Sequence, residues 1–209
     1  MITIYILQTD KLDLSLIEAL PFGDVEKSRI AAIEHSQHKK ESLGGLIALW
    51  RLLKKRGISL PPNIIRLQNG KPCFADGSMP FGISHSHTIA AAALGDADCE
   101  SIGFDLEVLD NKVNTLDIAS RFFSADEQAE FEKNKKTDEA FFSIWTAKEA
   151  LAKLDGKGLS AILSDTKKRS DIYISRLTVD IGDKRAVLSI ACKSKDQPIQ
   201  IFKDREEQL

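Results

Sequence analysis

The stretch Ile102-Gly103-Phe104-Asp105-Leu106-Glu107-Val108 constrains the fold most, because its apolar residues recur at every second position. That period belongs to a β-strand, and it places Asp105 and Glu107 on the same side. A second stretch, from Thr137 to Leu154, has the spacing of a single helix. Thr137 is positioned to cap it, Asp138 and Glu139 lie in the first turn where a helix favours negative charge, and Gly156 is positioned to end it. Phe141, Phe142, Trp145, Leu151 and Leu154 form its expected buried stripe. Glu149 and Lys153, four residues apart, share a face.

Taken alone, Glu149 and Lys153 read as an exposed ion-pair rung contributing about 0.3 kcal/mol. The strand changes that reading. Two carboxylates in register, joined by Glu149 from a helix, make an all-oxygen set suited to Mg²⁺, an ion that keeps several waters and adds substrate phosphates to a few carboxylates. With Lys148, Lys153 and His85 brought near, the set suits a pyrophosphate.

At 209 residues the chain is either one large domain or two small halves. Its 43% hydrophobic content supplies a core, and 29% charged residues mark a soluble globular protein. A net charge of -2 gives no general case for nucleic-acid binding. The pairs and triplets Lys39-Lys40 and Lys54-Lys55-Arg56 read as solvated helix surface. Cys73, Cys99 and Cys192 are scattered without CxxC spacing, as thiols of a reducing compartment are. The run Met1 to Leu7 is too short for a signal peptide or a membrane span and reads as a first strand. Cytoplasm is therefore the expected location, with no membrane partner.

Along the chain, Leu12 to Leu20 reads as a short helix. Asp24 is positioned to cap a helical run to Arg56, with a break near Ser36. Gly44-Gly45 inside that run costs about 1 kcal/mol per glycine relative to alanine, which implies close packing against the backbone there. Ile64 to Leu67 reads as a strand and Asn69-Gly70-Lys71-Pro72 as a turn. Thr88 to Leu94 holds four alanines that favour helix, but its length and the following Gly95-Asp96 turn favour a strand, the assignment adopted. Asp110 to Asn114 is polar, Leu116 to Phe123 helical, and Ser124-Ala125-Asp126-Glu127 fits a capping box. The loop Gly156-Lys157-Gly158 follows the central helix. Ile172 to Val179, Ala186 to Ala191 and Ile199 to Phe202 read as strands with a Gly182-Asp183 turn, and the tail from Lys203 is charged. The fold class is thus α+β.

Several motifs, in order, resemble the 4′-phosphopantetheinyl transferases of the surfactin-synthetase-activating (Sfp) type. Gly103-Phe104-Asp105-Leu106-Glu107 is similar to that family's Gly-x-Asp-x-Glu metal motif. Arg121-Phe122-Phe123-Ser124 with Glu127, Trp145-x-x-Lys148-Glu149-Ala150-x-x-Lys153, and Gly156-Lys157-Gly158-Leu159 resemble segments that follow it. Upstream, Gly70-Lys71-Pro72 and Ile83-Ser84-His85-Ser86 also resemble the family, so the match runs roughly from Val25 to Ser160.

The resemblance implies two similar α/β halves packed as a pseudo-dimer within a monomer, with residues 1–100 as the coenzyme-contacting half and 101–209 as the metal-binding and catalytic half. It implies transfer of the 4′-phosphopantetheine arm of coenzyme A to a serine of an apo acyl or peptidyl carrier protein, releasing adenosine 3′,5′-bisphosphate. Asp105, Glu107 and Glu149 would hold Mg²⁺ or Mn²⁺. Glu149 would also act as base toward the serine, directly or through a water, and Lys153 would stabilise the departing phosphate. Ser84 and His85 would contact the phosphates of coenzyme A, although a histidine simply packed at a strand end is the competing reading. Lys27, Lys40 and Lys71 would grip the 3′-phosphate, and Asn69-Gly70 would meet adenine. Lys148 is left between a phosphate contact and a structural ion pair. His87 stands where the family often has glycine and carries no assigned role. Carrier contacts would come from Leu109, Val113, Leu116 and Phe122, with core packing the alternative for Phe122. A different class of function is a non-catalytic binder of coenzyme A or carrier domains on the same fold. Another metal-dependent phosphoryl or nucleotidyl enzyme lacks the P-loop or kinase glycine loop it would need.

Overall fold

The amino-terminal run forms strand β1 (Ile2–Gln8), and the computed structural model buries it on both faces. The structure describes residues 1–110, 112–156, 170–195 and 197–204. Helices α1 (Leu16–Ala19), α2 (Asp24–Ala31) and α3 (Ser36–Lys55) follow, then strands β2 (Ile64–Arg66), β3 (Pro72–Phe74), β4 (Phe81–Ser86), β5 (Ile89–Gly95) and β6 (Ile102–Val108). Next come α4 (Thr115–Phe122), α5 (Ala125–Lys133) and α6 (Asp138–Asp155), and strands β7 (Tyr173–Ile181), β8 (Lys184–Cys192) and β9 (Ile199–Lys203) close the chain. The expected α+β class holds. Lys157, Gly158 and Leu159 of the loop after α6, Asn111, and residues 205–209 of the charged tail lie outside the described residues.

Two sheets share the load. One has the order β4-β5-β1-β9, the other β6-β8-β7, and β2 and β3 form a separate small ribbon. All pairings are antiparallel except β9, which lies parallel to β1. Side-chain alternation explains the double burial of β1 and β5. Tyr5, Leu7, Ala90, Ala92 and Leu94 join the cluster under α3, whereas Ile2, Ile4, Ile6, Ile89, Ala91 and Ala93 join the cluster shared with the second sheet. The alanine run is therefore a strand, buried by the α3 cluster on one face and by the cluster shared with the second sheet on the other.

Glycines set how closely the helices descend. A Cβ at Gly44 would lie 2.6 Å from Thr9 Cγ2, and one at Gly45 would lie 2.4 Å from Ile83 Cγ2. Close packing explains both residues, as their helical cost implied. In the second half, a Cβ on Gly103 of β6 would fall 1.8 Å from the carbonyl oxygen of Ala150 and 2.6 Å from the amide of Leu154. Helix α6 thus rests backbone against backbone on β6.

Local boundaries differ from expectation in places. The helical run expected from Asp24 is two helices, with Gly23 as the first N-cap and Asp24 in the first turn. The short helix expected over Leu12 to Leu20 narrows to α1. Strand β3 falls where only a turn was expected; three residues carry too little alternation to register. The caps at Thr137 and Ser124 form as expected, the latter as a full capping box, and Gly156 ends α6 at φ 64°.

Gly103→Ala must push α6 off β6, since the nearest atoms are backbone. Overpacking there is expected to lower folding stability by about 3 kcal/mol, read as a lower denaturation midpoint. A midpoint equal to wild type would show that α6 does not rest on β6.

Candidate active site

The edges of the two sheets, β4 and β6, run side by side, close enough that a Cβ on Gly82 would lie 2.8 Å from Phe104 Cβ. Side chains bridge this seam. Ser84 Oγ donates to Asp105 Oδ1 at 2.8 Å, and Ser86 Oγ donates to Glu107 Oε2 at 2.6 Å. From above, α6 delivers Lys153, whose Nζ donates to Asp105 Oδ1 at 2.6 Å and to Ser84 Oγ at 3.2 Å. A hydroxyl pair beneath the helix, Thr146 with Ser189 at 2.7 Å, fixes the helix over the strand that pairs with β6.

The electrostatics are those of crowded acids. Asp105 is 3% exposed, and its Oδ2 is buried with no hydrogen-bond partner. Burial, aided by the charges of Asp105 and Glu149, pushes the Glu107 carboxyl up to about 7 against the pull of Ser86. Burial and the Asp105 charge also raise Glu149, with Lys153 opposing. The described residues contain no group of three or more His, Cys, Asp or Glu gathered as a ready-made metal cage. Instead the Lys153 ammonium supplies the positive charge at Asp105. An orphaned buried carboxylate oxygen, two acids held high by burial and by the Asp105 charge, and an all-oxygen donor set fit a hard divalent cation such as Mg²⁺.

Beside these acids opens a cavity of about 330 Å³, with Glu149 and Lys153 on one wall, Phe81, Ile83 and Phe104 among its apolar lining, and the turn Asn69-Gly70-Lys71 at its rim. The turn is tied to the end of α6. Lys71 Nζ donates to Ser101 Oγ, to the Ile102 carbonyl and to the Leu154 carbonyl, at 3.1 to 3.2 Å. A Cβ on Gly156 would fall 1.9 Å from Asn69 Nδ2, so the amide of Asn69 lies against the helix cap. At the far end of β4, His85 Nδ1 stands 3.3 Å from Glu41 Oε2, and burial lowers its proton affinity.

Comparison with known proteins fits this geometry. A sequence model of the 4′-phosphopantetheinyl transferase superfamily matches residues 101–200. The 4′-phosphopantetheinyl transferase AcpT of Salmonella typhimurium is 30% identical over 171 residues, which span 80% of this chain and 85% of that protein. The 4′-phosphopantetheinyl transferase Sfp of Bacillus subtilis is 33% identical over 174 residues, spanning 72% and 75%. The chain belongs to the 4′-phosphopantetheinyl transferase superfamily. It is an enzyme of the transferase class.

Within this transferase, Asp105, Glu107, Glu149, Lys153 and Ser84 come together at the seam, and Asn69, Gly70 and Lys71 line the same cavity. The lysines divide differently. Lys148 lies buried on Glu127, donating to both carboxylate oxygens at 2.9 and 2.8 Å, so of its two readings the structure has the ion pair. Lys27 donates to the Glu18 carbonyl and Lys40 to the Asp10 carbonyl, and neither lines the cavity. Lys71 lines it with its ammonium turned to three protein oxygens. Sequence reasoning missed Ser86, Glu41 and the second duty of Glu127, which both caps α5 and holds Lys148. One signal was present: Ser84 and Ser86 repeat the two-residue spacing of Asp105 and Glu107.

In metal-free protein, Glu107 keeps its proton in the folded state up to about 7, whereas the unfolded chain releases it near the ordinary carboxylate value. The folded state therefore binds more protons between those two pH values, and stability falls as pH rises through that window. Denaturant melts in EDTA are expected to show a higher midpoint at pH 5 than at pH 7.5, with the slope reduced in Glu107→Gln. Equal slopes in wild type and variant would remove Glu107 as the cause.

Proposed function

We propose that this chain transfers the 4′-phosphopantetheine arm of coenzyme A to a serine hydroxyl of an apo acyl or peptidyl carrier protein, releasing adenosine 3′,5′-bisphosphate. The observation that carries the reading is the meeting of Asp105 and Glu107 with Glu149 and Lys153, the last two lining one cavity, in a chain of this family. In the reaction, the serine oxygen forms a bond to the phosphorus bearing the pantetheine arm. The bond from that phosphorus to the bridging oxygen breaks, and the nucleotide leaves with the bridging oxygen.

Glu149 lines the cavity with its proton affinity raised by burial, which suits it to take the serine proton. Lys153 presents a flexible point charge to the departing phosphate. Asp105, Glu107 and Glu149 would hold Mg²⁺, with Mn²⁺ as the alternative ion. Bound there, the ion supplies charge neutralisation to the pyrophosphate. In this reading His85 and Ser84 would meet the phosphates, and the Asn69-Gly70 backbone, which lines the cavity, would meet adenine. Lys71 shapes that end by holding the turn to α6, and its ammonium is available to the 3′-phosphate only by releasing a protein oxygen.

The same reading takes the chain as a cytoplasmic monomer of two similar halves, residues 1–100 and 101–209. Support comes from the pairing of one long helix with one sheet in each: α3 on β1, β4 and β5, and α6 on β6 and β8. No helix among the described residues is long and apolar enough to cross a membrane. The carrier would dock where Leu116 and Phe122 are exposed above an aromatic cluster that includes Phe123, Phe141 and Trp145, with Leu109 and Val113 packed against it.

Intact mass of an apo carrier panel after incubation with the protein, coenzyme A and Mg²⁺ tests the reading. The expected result is a gain of one phosphopantetheine arm, abolished by EDTA and by Asp105→Ala or Glu149→Ala while both variants stay folded. No gain on any carrier, with coenzyme A still bound, would make the chain a non-catalytic binder. Lys153→Ala is expected to lower kcat at least 100-fold with KM for coenzyme A little changed. A pure rise in KM would reassign the lysine to ground-state binding.

A further inference from the structure

The hairpin joining β4 to β5 turns on His87 and Thr88, and His87 takes the turn at φ 56°. That left-handed conformation disfavours a residue with a Cβ, and its persistence directs attention to the side chain. His87 Nε2 stands 3.1 Å from Asp110 Oδ2, and its Nδ1 stands 3.1 Å from Ser86 Oγ. Ser86 in turn donates to Glu107 Oε2 and accepts from the Val108 amide at 3.2 Å.

Ser86 Oγ thus meets three groups at once: Glu107 Oε2, the Val108 amide and His87 Nδ1. Four side chains run unbroken across the seam: Asp110, His87, Ser86, Glu107. The Asp110–His87 end is anchored twice. Gln37 Nε2 donates to the His87 carbonyl at 3.0 Å, and the Lys112 amide donates to Asp110 Oδ1 at 2.9 Å.

We propose that His87 and Asp110 are positioning residues for Glu107, forming a strap from the β4–β5 turn to the segment after β6 that holds Ser86 and, through it, the Glu107 carboxylate. The inference rests on the metal reading of Asp105, Glu107 and Glu149 given above. Glu107 is half-buried at a seam with no backbone ladder of its own across β4 and β6. Its rotamer is thus set by side chains, and the strap restricts the one that touches it.

The test is binding of Mn²⁺, read by electron paramagnetic resonance without coenzyme A, to wild type, Ser86→Ala, His87→Gly, Asp110→Ala and the His87→Gly/Asp110→Ala double variant. Thermal melts in EDTA accompany it. His87→Gly is expected to weaken Mn²⁺ binding several-fold, up to about 10-fold, while its melting temperature is no lower than wild type because glycine accepts the left-handed turn. Asp110→Ala should weaken binding to a similar degree, and the double variant should be no weaker than either single one, since all break the same strap. Ser86→Ala should be at least as weak.

Unchanged Mn²⁺ affinity in His87→Gly, with wild type binding the ion and modifying a carrier, would overturn the strap alone. Loss of affinity that tracks a lowered melting temperature would overturn it in favour of general destabilisation. Wild type that takes no Mn²⁺ would overturn the metal reading and the strap with it.

Discussion

The missing side chain of Gly103 is the constraint on which the site depends. Because β6 carries hydrogen alone at that position, α6 settles with the Ala150 carbonyl and the Leu154 amide directly over the strand. One residue before Ala150 is Glu149, and one before Leu154 is Lys153. The contact that seats the helix therefore also fixes the two groups that face Asp105. Any side chain at Gly103 would lift both together, and the acids and the lysine would lose their spacing at once. Thr146 and Ser189 reinforce the seat with a fully buried hydroxyl pair.

Burying like charges is unfavourable unless something compensates them. Here the compensation is uneven. Asp105 receives Ser84 and Lys153 on one oxygen and nothing on the other, and Glu107 receives one hydroxyl. By contrast, the buried ammonium of Lys148 is matched on both oxygens of Glu127. Two lysines five residues apart on one helix thus meet opposite surroundings. One closes a structural pair with Glu127 of α5, and the other lines a cavity with its ammonium on Asp105 and Ser84.

Much of this was legible in the letters. Period-two alternation placed Asp105 and Glu107 on one side of a strand, and the four-residue spacing placed Glu149 with Lys153. The glycines at 44 and 45 announced close packing before the packing was visible. What the letters withheld were contacts between elements far apart in sequence. Ser84 and Ser86 gain meaning only when β4 lies beside β6, and Lys71 only when its turn reaches the end of α6 some eighty residues later. Lys148 shows the same limit: helical periodicity says which way it points, and the position of Glu127 says what it meets. The expected phosphate grips at Lys27 and Lys40 rested on resemblance, and those ammonium groups meet main-chain carbonyls instead.

The parallel pairing of β9 with β1 ties the two ends of the chain into one sheet. During synthesis β9 follows far behind β1, so one edge of β1 waits unpaired until residues 199–203 have been made. Closing that edge joins elements far apart in sequence, a correspondingly slow, non-local step. A ribosome still holding residues 199–203 therefore holds a protein whose first sheet is incomplete. Completion of the β4-β5-β1-β9 sheet waits on residues made long after β1, β4 and β5.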